Sequence, residues 1–488
     1  MKVGKRVLSL LLVMAVMVGM VACTADKKAN NAGDDETKPY EIEWYFPGSF
    51  GSDQQMVEEK INEYLKEKIN ATLKLMPLDW GVYASKMKNM LSSGEKVDLA
   101  WCDLNQYQSY IKEQIPVEIE ELMTKFAPKT KELLGEEYLN GVKIGGKLYA
   151  VPVNKEKGHA FSIIYRKDIA EKYGFDMESV KTLEDLYPYF EVIKEKEKNM
   201  IPFGLTNSST ALHLEPYYDI GLGNLVCFMP SHPGKVVTIH ETEEYKKAAK
   251  RAQHMYDNGY VSKDAAIKDD FTELRKNGMI FCYVSITHPL KLEEMNKSSN
   301  YEMGEVVMTD VMSDSRDTLG SLNFIPYTCE NPERVMKFIE LFNTDVYLNN
   351  LINFGIEDVH YEKTGENTIK TLDRIENYDF VGSQWELGNT LINYVLDGYD
   401  PQRYEKLAEY NANVPASDYY GFVFDSEPVA AQVTACRSVT GEYWKNIDYG
   451  TVNADEELPK FIEKLKKAGI DEVIAEAQKQ YDAWKENK

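Results

Sequence analysis

Glu41-Ile42-Glu43-Trp44-Tyr45-Phe46 alternates polar and apolar side chains, the two-residue period of a half-buried strand. Pro47-Gly48-Ser49-Phe50-Gly51 then turns the chain. Ser52 and Gln55 have the spacing of a helix-opening capping box, and Val57, Ile61, Tyr64, Leu65 and Ile69 recur at helical intervals. Ala71-Thr72-Leu73-Lys74-Leu75-Met76 reads as a second strand. Strand, helix, strand is a βαβ unit, and its crossover implies a parallel sheet.

The alternation continues outward. Trp80 to Leu91 reads as a helix, and Val97-Asp98-Leu99-Ala100-Trp101-Cys102 as a buried strand. Gly145-Gly146 feeds a strand ending at Pro152. Further strands lie at Ile163-Ile164-Tyr165-Arg166, Met279 to Val284, and Ser321 to Ile325. Thr182 and Thr242 open helices, and Asn331-Pro332 is an N-cap followed by proline at the first helical position. Leu458, Phe461, Leu465, Val473, Ala477, Tyr481 and Trp484 mark amphipathic helices at the end.

Toward the N-terminus the character changes. Lys2, Lys5 and Arg6 precede an apolar run from Val7 to Val21, too short to span a bilayer comfortably and the right size for a signal-peptide core. Met20-Val21-Ala22-Cys23 resembles the lipobox of bacterial lipoproteins, with Met20 where Leu is usual. That resemblance implies a signal peptide over 1–22, cleavage before Cys23 and a diacylglyceryl anchor on the Cys23 sulfur. Residues 23–39 have nothing to bury and read as a lipidated cysteine and disordered tether. The expected location is the outer face of the cell membrane, with the lipid as the sole membrane attachment.

With 488 residues, two large lobes are expected, and 43% hydrophobic residues suffice for real cores. A net charge of −23 argues against nucleic acid and against anionic membrane surfaces. After Cys23, the cysteines Cys102, Cys227, Cys282, Cys329 and Cys436 are odd in number and widely spaced, without disulfide or zinc patterning. The seven histidines lack metal-ligand spacing, and neither G-x-S-x-G, H-E-x-x-H nor a phosphate loop occurs. No cofactor, metal or catalytic residue is expected.

Ser93-Gly94-Glu95 with Val97-Asp98-Leu99, Gly145 to Pro152, Asp168 with Lys172-Tyr173-Gly174, Tyr256 to Tyr260 and Asn331 to Met336 resemble the family-1 extracellular solute-binding proteins. Asn343-Thr344-Asp345, Leu351 to Glu357, His360-Tyr361-Glu362, Trp385 with Gly388-Asn389, Gly421 to Asp425 and Lys464 to Ile470 resemble a Gram-positive branch with its own C-terminal region. The resemblance implies a periplasmic-binding-protein-like fold: two α/β lobes joined by a hinge that close on a solute for an ABC importer. The lobes are expected at 40–155 plus 320–355 and at 156–319 plus 356–488, the latter including the C-terminal region. A monomer serving ABC permease subunits is expected, with an oligosaccharide as solute. A peptide-binding protein is the alternative, for which Arg166, Arg275 and Arg316 are available; a surface glycosidase and a structural adhesin stand behind it.

Ligands of open α/β sheets sit at the carboxyl ends of strands. That rule selects Phe46, Ser49 and Phe50 after the first strand, Trp80 after the second, and Asp103 and Asn105 after the third. It adds Tyr283 and Ser285, then Asn323 near the return crossing and Trp385 in the C-terminal region. Flat aromatic faces suit pyranose rings and planar polar groups suit hydroxyls. For Asp103, helix capping is the competing role. The hinge is expected at Asn154, Tyr165 and Phe324.

Overall fold

The computed structural model describes residues 34–49, 51–206, 209–268, 271–378, 384–415 and 417–486. Cys23 and the signal-peptide residues lie outside the described residues, as does Phe50. The strand Tyr40–Pro47 pairs in parallel with Ala71–Leu78 along its whole length, and on its other side with Leu99–Cys102. The predicted βαβ unit is therefore present. Helix Gln54–Ile69 buries Val57, Ile61 and Leu65 against this sheet. The expected capping box at Ser52 does not form. The residue before the helix is Asp53, whose carboxylate instead accepts hydrogen bonds from Arg374 Nε at 2.6 Å and meets His360 Nε2 at 3.3 Å.

The sheet is completed from far away in sequence. Leu322–Phe324 inserts antiparallel between Leu99–Cys102 and Val151–Pro152. Trp44 lies fully buried beneath Phe338 and Phe342 of helix Pro332–Thr344, and its indole N–H donates to Asn323 Oδ1 at 3.1 Å. A buried indole needs that acceptor, since leaving a polar group unpaired costs about 1–3 kcal/mol.

A second sheet has the order Met303–Val307, Ala160–Arg166, Ile280–Thr287, Ile201–Phe203. The first three run antiparallel to their neighbours and only the last pair is parallel. The parallel expectation therefore holds for the first three strands of one sheet and not here. A third core forms where helices Ala430–Asp448, Ala454–Lys467 and Ile470–Glu486 pack against helix Glu243–Asp257 and the short strands Cys227–Phe228 and Val236–Val237. The packing is close: Gly450 has φ +73°, and a Cβ there would sit 2.0 Å from the Ala252 carbonyl oxygen. Only glycine fits such an approach.

Two expected boundaries differ from the packing. Residues 34–39 belong to the body rather than to the tether. Asp34 is buried and pairs with the fully buried Arg334 at 2.6 Å and with Lys337 at 2.8 Å. Arg334 also donates to the carbonyls of Ile69 and Asn70, at 2.8 and 2.7 Å, closing the C-terminus of helix Gln54–Ile69. The second difference concerns Tyr378 and Leu387, placed with the second lobe by sequence. Both pack in the first core, and the Tyr378 hydroxyl donates to the Ile352 carbonyl at 2.6 Å.

Asp448 is buried beside Tyr245, whose hydroxyl donates to it at 2.8 Å. Burial pushes its carboxyl up to about 7 from 3.8, the Tyr245 hydrogen bond offsetting only part of the rise. The unfolded chain releases this proton near pH 4, whereas the folded chain holds it to about 7, so stability falls as pH climbs through that window. Asp448→Asn keeps the acceptor without the charge. It should raise stability at pH 8 by about 1–3 kcal/mol and flatten the pH dependence between about 4 and 7. Thermal melts across pH check this, and an unchanged or lowered melting temperature at pH 8 would contradict it.

Candidate functional site

The chain leaves the first sheet at Pro152 and enters the second at Ala160; it returns before Leu322. A third passage, 384–394, lies against this crossing. Asn154 N–H donates to the Gly388 carbonyl at 2.9 Å, Thr390 N–H donates to the Asn154 carbonyl at 2.9 Å, and Asn154 Nδ2 donates to Asn389 Oδ1 at 2.8 Å. Asn389 Nδ2 in turn donates to the Asn343 carbonyl at 2.9 Å, and Asn349 Nδ2 to the Asn389 carbonyl at 3.2 Å. Both members of the Asn154–Asn389 pair are buried.

At the carboxyl ends of the first sheet's strands, beside this crossing, three tryptophans meet. Asp79 Oδ1 accepts from Gly81 N–H at 2.8 Å and starts helix Trp80–Ser93, which sets Trp80 at the strand end. Trp80 and Trp385 stack with centroids 6.0 Å apart and planes 17° from parallel. The edge of Trp101 meets Trp80 at 5.4 Å and 80°. Trp101 is buried, and its N–H donates to Ser321 Oγ at 2.7 Å; Ser321 Oγ donates onward to the Glu386 carbonyl at 3.0 Å. Trp80 and Trp385 by contrast remain 49% and 41% exposed. Two half-exposed indoles held by a buried third make a flat apolar wall where both crossings converge, a candidate surface for a ligand.

A polar network stands on the return crossing. His159 Nδ1 lies 3.0 Å from Asp317 Oδ1, and Arg316 binds Asp314 through Nε and Nη2 at 2.9 and 2.6 Å to Oδ2. Asp314 also accepts from the Asp219 amide at 3.1 Å, and the Arg316 guanidinium lies 5.2 Å from the Tyr217 ring centre. Burial raises the Asp314 carboxyl, but the Arg316 charge and hydrogen bonds outweigh it and hold the carboxyl below its usual range. Burial drives Asp317 the other way, with His159 offsetting only part. Arg316 is 29% exposed while Asp314 is buried, so the network shows solvent its cationic side.

Of the residues selected by strand position, Trp80 and Trp385 come together. Phe46 is buried in the first core against Trp44. Ser49 is exposed in the loop after the first strand. Asp103 caps helix Leu104–Lys112 in a full capping box with Gln106, the competing role. The Asn105 side chain lies outside what is described. Tyr283 is buried beneath Phe271, at 5.2 Å, and Ser285 is half-buried with its hydroxyl donating to the Ile286 carbonyl at 3.0 Å. Asn323 is buried and taken by Trp44. Among the hinge residues, Asn154 lies at the crossing. Tyr165 sits inside the second sheet between Cys282 and Gly304, and Phe324 is fully buried opposite Ala100, so neither lies at a crossing. Sequence reasoning named Arg316 only as a counter-ion for a peptide and Asn389 only within the family resemblance. It missed their roles here, the Ser321 bridge, and the link of His159 to the Asp314–Arg316–Asp317 cluster, 158 residues away in the chain. No group of three or more His, Cys, Asp or Glu side chains placed to hold a metal occurs among the described residues.

The family model of bacterial extracellular solute-binding proteins matches residues 59–355. This chain belongs to that family. A second model, a domain of unknown function, matches residues 418–486, the three C-terminal helices and the segment before them. The chain is 28% identical over 488 residues to a carbohydrate ABC transporter substrate-binding protein of Streptococcus pneumoniae, covering 98% of this chain and 97% of that one. It superposes on the crystal structure of the N-glycan transport solute-binding protein NgtS from Streptococcus pneumoniae with a TM-score of 0.84, at 27% identity, over 92% of this chain and 100% of that one. With Man1GlcNAc bound, the NgtS structure scores 0.75 at 26% identity, covering 92% and 100%. With Man5GlcNAc bound it scores 0.72 at 27% identity, covering 92% and 99%. The two-lobed α/β fold of the solute-binding proteins is thus the fold of this chain. Family members act outside the cytoplasm, and no helix among the described residues is long and apolar enough to cross a membrane.

Removing Arg316 alone strands the buried Asp314 charge, so Arg316→Met should cost about 3–5 kcal/mol in urea unfolding. The double change Arg316→Met with Asp314→Leu should be less damaging than the single one. A double variant weaker than the single would contradict the pairing described.

Proposed function

We propose that this chain captures an oligosaccharide outside the cell and presents it to the permease subunits of an ABC importer, acting by binding alone. The observation that carries this reading is the half-exposed Trp80–Trp385 stack beside the crossing. A stacked indole pair offers the C–H faces of a sugar ring a flat apolar surface, and binding sites join such surfaces to a few fixed polar groups. The NgtS likeness supports the same ligand class. Its TM-score falls from 0.84 to 0.75 and 0.72 in the glycan complexes, while coverage stays at 92% and identity hardly moves. A score that falls at level sequence identity reflects a difference in arrangement from the glycan complexes, and we read it as a form of this chain that closes on its solute about the Asn154–Asn389 crossing.

A peptide ligand would need free counter-ions for its termini. Arg166 is held by Asp168 at 2.8 and 2.6 Å and by the Gly278 carbonyl at 2.8 Å, at the end of its strand away from the first crossing. Arg316 is held by Asp314. Two of the three arginines that a peptide could use, all but Arg275, are thus taken by carboxylates, which favours the oligosaccharide reading.

Trp80→Ala and Trp385→Ala should each change stability by less than about 1 kcal/mol, because both rings are half-exposed. Each should weaken binding of Man5GlcNAc by about tenfold or more in titration calorimetry. Wild-type protein silent toward mannose-bearing and other oligosaccharides, or binding untouched by both changes, would overturn the reading. For attachment we propose lipidation at Cys23. Cys23→Ala should abolish labelling by radioactive palmitate and release the protein to the medium; a labelled variant would refute it.

A further inference from the structure

The second lobe contains a groove separate in composition from the tryptophan wall. Its volume is about 760 Å³, and it lies between the 181–187 segment and helix Glu243–Asp257. Lys181, Lys247, Lys250 and Arg251 line it against only two carboxylates, Glu184 and Glu215. A cationic excess is notable on a chain whose net charge is −23. The internal pairing leaves some of it unused. Arg251 Nη2 binds Glu215, and Lys250 lies 2.8 Å from Asp455. Lys181 Nζ donates to the Glu178 carbonyl at 3.3 Å while its backbone N–H donates to Asp185 Oδ2 at 3.0 Å, and neither the Lys181 nor the Lys247 ammonium has a carboxylate within 4.0 Å among the described residues.

Two buried polar atoms add to this. The Tyr187 hydroxyl and Arg251 Nε have no hydrogen-bond partner among the described residues, and Glu184 Oε1 lies 3.7 Å from Arg251 Nε. Unpaired buried polar groups are costly, so a site that completes them on binding gains accordingly. Tyr187 also stacks on His254 with centroids 4.7 Å apart and planes 28° from parallel, giving the groove a flat ring surface. Leu214 and Met308 close one side. Met308 follows the strand Met303–Val307 at the end nearest the crossing, since Val307 pairs with Ser162.

We propose that this groove binds a carboxylate-bearing sugar residue, so that the solute's acidic unit sits here while the neutral part meets the tryptophan wall. The inference rests on the oligosaccharide reading above. Lys181 and Lys247 supply the charge and the Tyr187–His254 stack the ring face, with Tyr187 Oη and Arg251 Nε as donors that a small shift of their side chains on binding would turn to the ligand. Charge-assisted hydrogen bonds of this kind are about twice as strong as neutral ones.

The test compares a glucuronate-terminated oligosaccharide with its glucose-terminated neutral twin by calorimetry. The acidic twin should bind about tenfold more tightly at low salt, and the advantage should vanish at high salt. Lys181→Ala with Lys247→Ala should erase the advantage and leave the neutral twin's affinity unchanged. Equal binding of the twins, or an advantage that survives the double change, would overturn the proposal. Inorganic phosphate is the control: if it binds the groove as tightly as the sugar acid, the site is one for a free anion and the sugar assignment falls. A second arm follows the His254 ring signals by NMR with glucuronate alone. Saturable shifts that disappear in the double variant support the groove even where the neutral sugar fails to bind. Unmoved His254 signals overturn the groove while leaving the oligosaccharide reading to its own test.

Discussion

The buried hydrogen bond between Asn154 and Asn389 fixes the place where the chain passes between its sheets. An amide pair inside a protein is a strict constraint, because each side chain carries two donors and an acceptor that water can no longer serve. Here Asn389 Nδ2 donates to the Asn343 carbonyl and Asn349 Nδ2 to the Asn389 carbonyl, while Asn353 Nδ2 donates to the side-chain oxygens of Asn349 and Asn393. The outgoing crossing, the late 384–394 passage and the two helices Pro332–Thr344 and Val346–Phe354 are thereby tied into one unit. The return crossing joins through Ser321, whose carbonyl accepts from Val153 N–H at 3.1 Å.

That junction is also what places the aromatic wall. Trp385 belongs to the late passage, Trp80 to the second strand's end, and Trp101 to the third strand. The late passage that carries Trp385 to Trp80 is held at Asn389 and, next to Trp385 itself, by Ser321 Oγ on the Glu386 carbonyl. Rigid support for a half-exposed aromatic pair lowers the ordering cost of binding, since the rings are already positioned. The Arg316–Asp314 pair and the His159–Asp317 contact do the same for polar groups on the return side. In the proposed reading, opening and closing of the lobes is absorbed by the few crossing residues around this junction.

Much of this was legible in the sequence, and the failures have physical reasons. The βαβ unit from Tyr40 to Leu78 followed from periodicity, and two of the ligand candidates, Trp80 at a strand end and Trp385 in the C-terminal region, do meet in the fold. The rule that ligands sit at strand ends names positions but not faces. Phe46 shares a face with Trp44, two residues earlier, and so points into the core; Tyr283 is covered by Phe271. Asp103 is a strand-end residue whose carboxylate the next helix consumes. Asp34 reads as tether because its composition is that of a tether, yet Arg334, three hundred residues later, draws it into the fold. The crossing role of Asn389 was not legible because its partners Asn154 and Asn343 are brought near only by folding, and Arg316, named as a counter-ion for a peptide, is instead taken by Asp314 two residues away.

The most direct measurement is a crystal structure of the chain with Man5GlcNAc. The account predicts a sugar ring against the Trp80–Trp385 stack, with the two sheets drawn closer about an intact Asn154–Asn389 pair. A glycan bound away from both tryptophans, or lobes unmoved with the sugar in place, would contradict it.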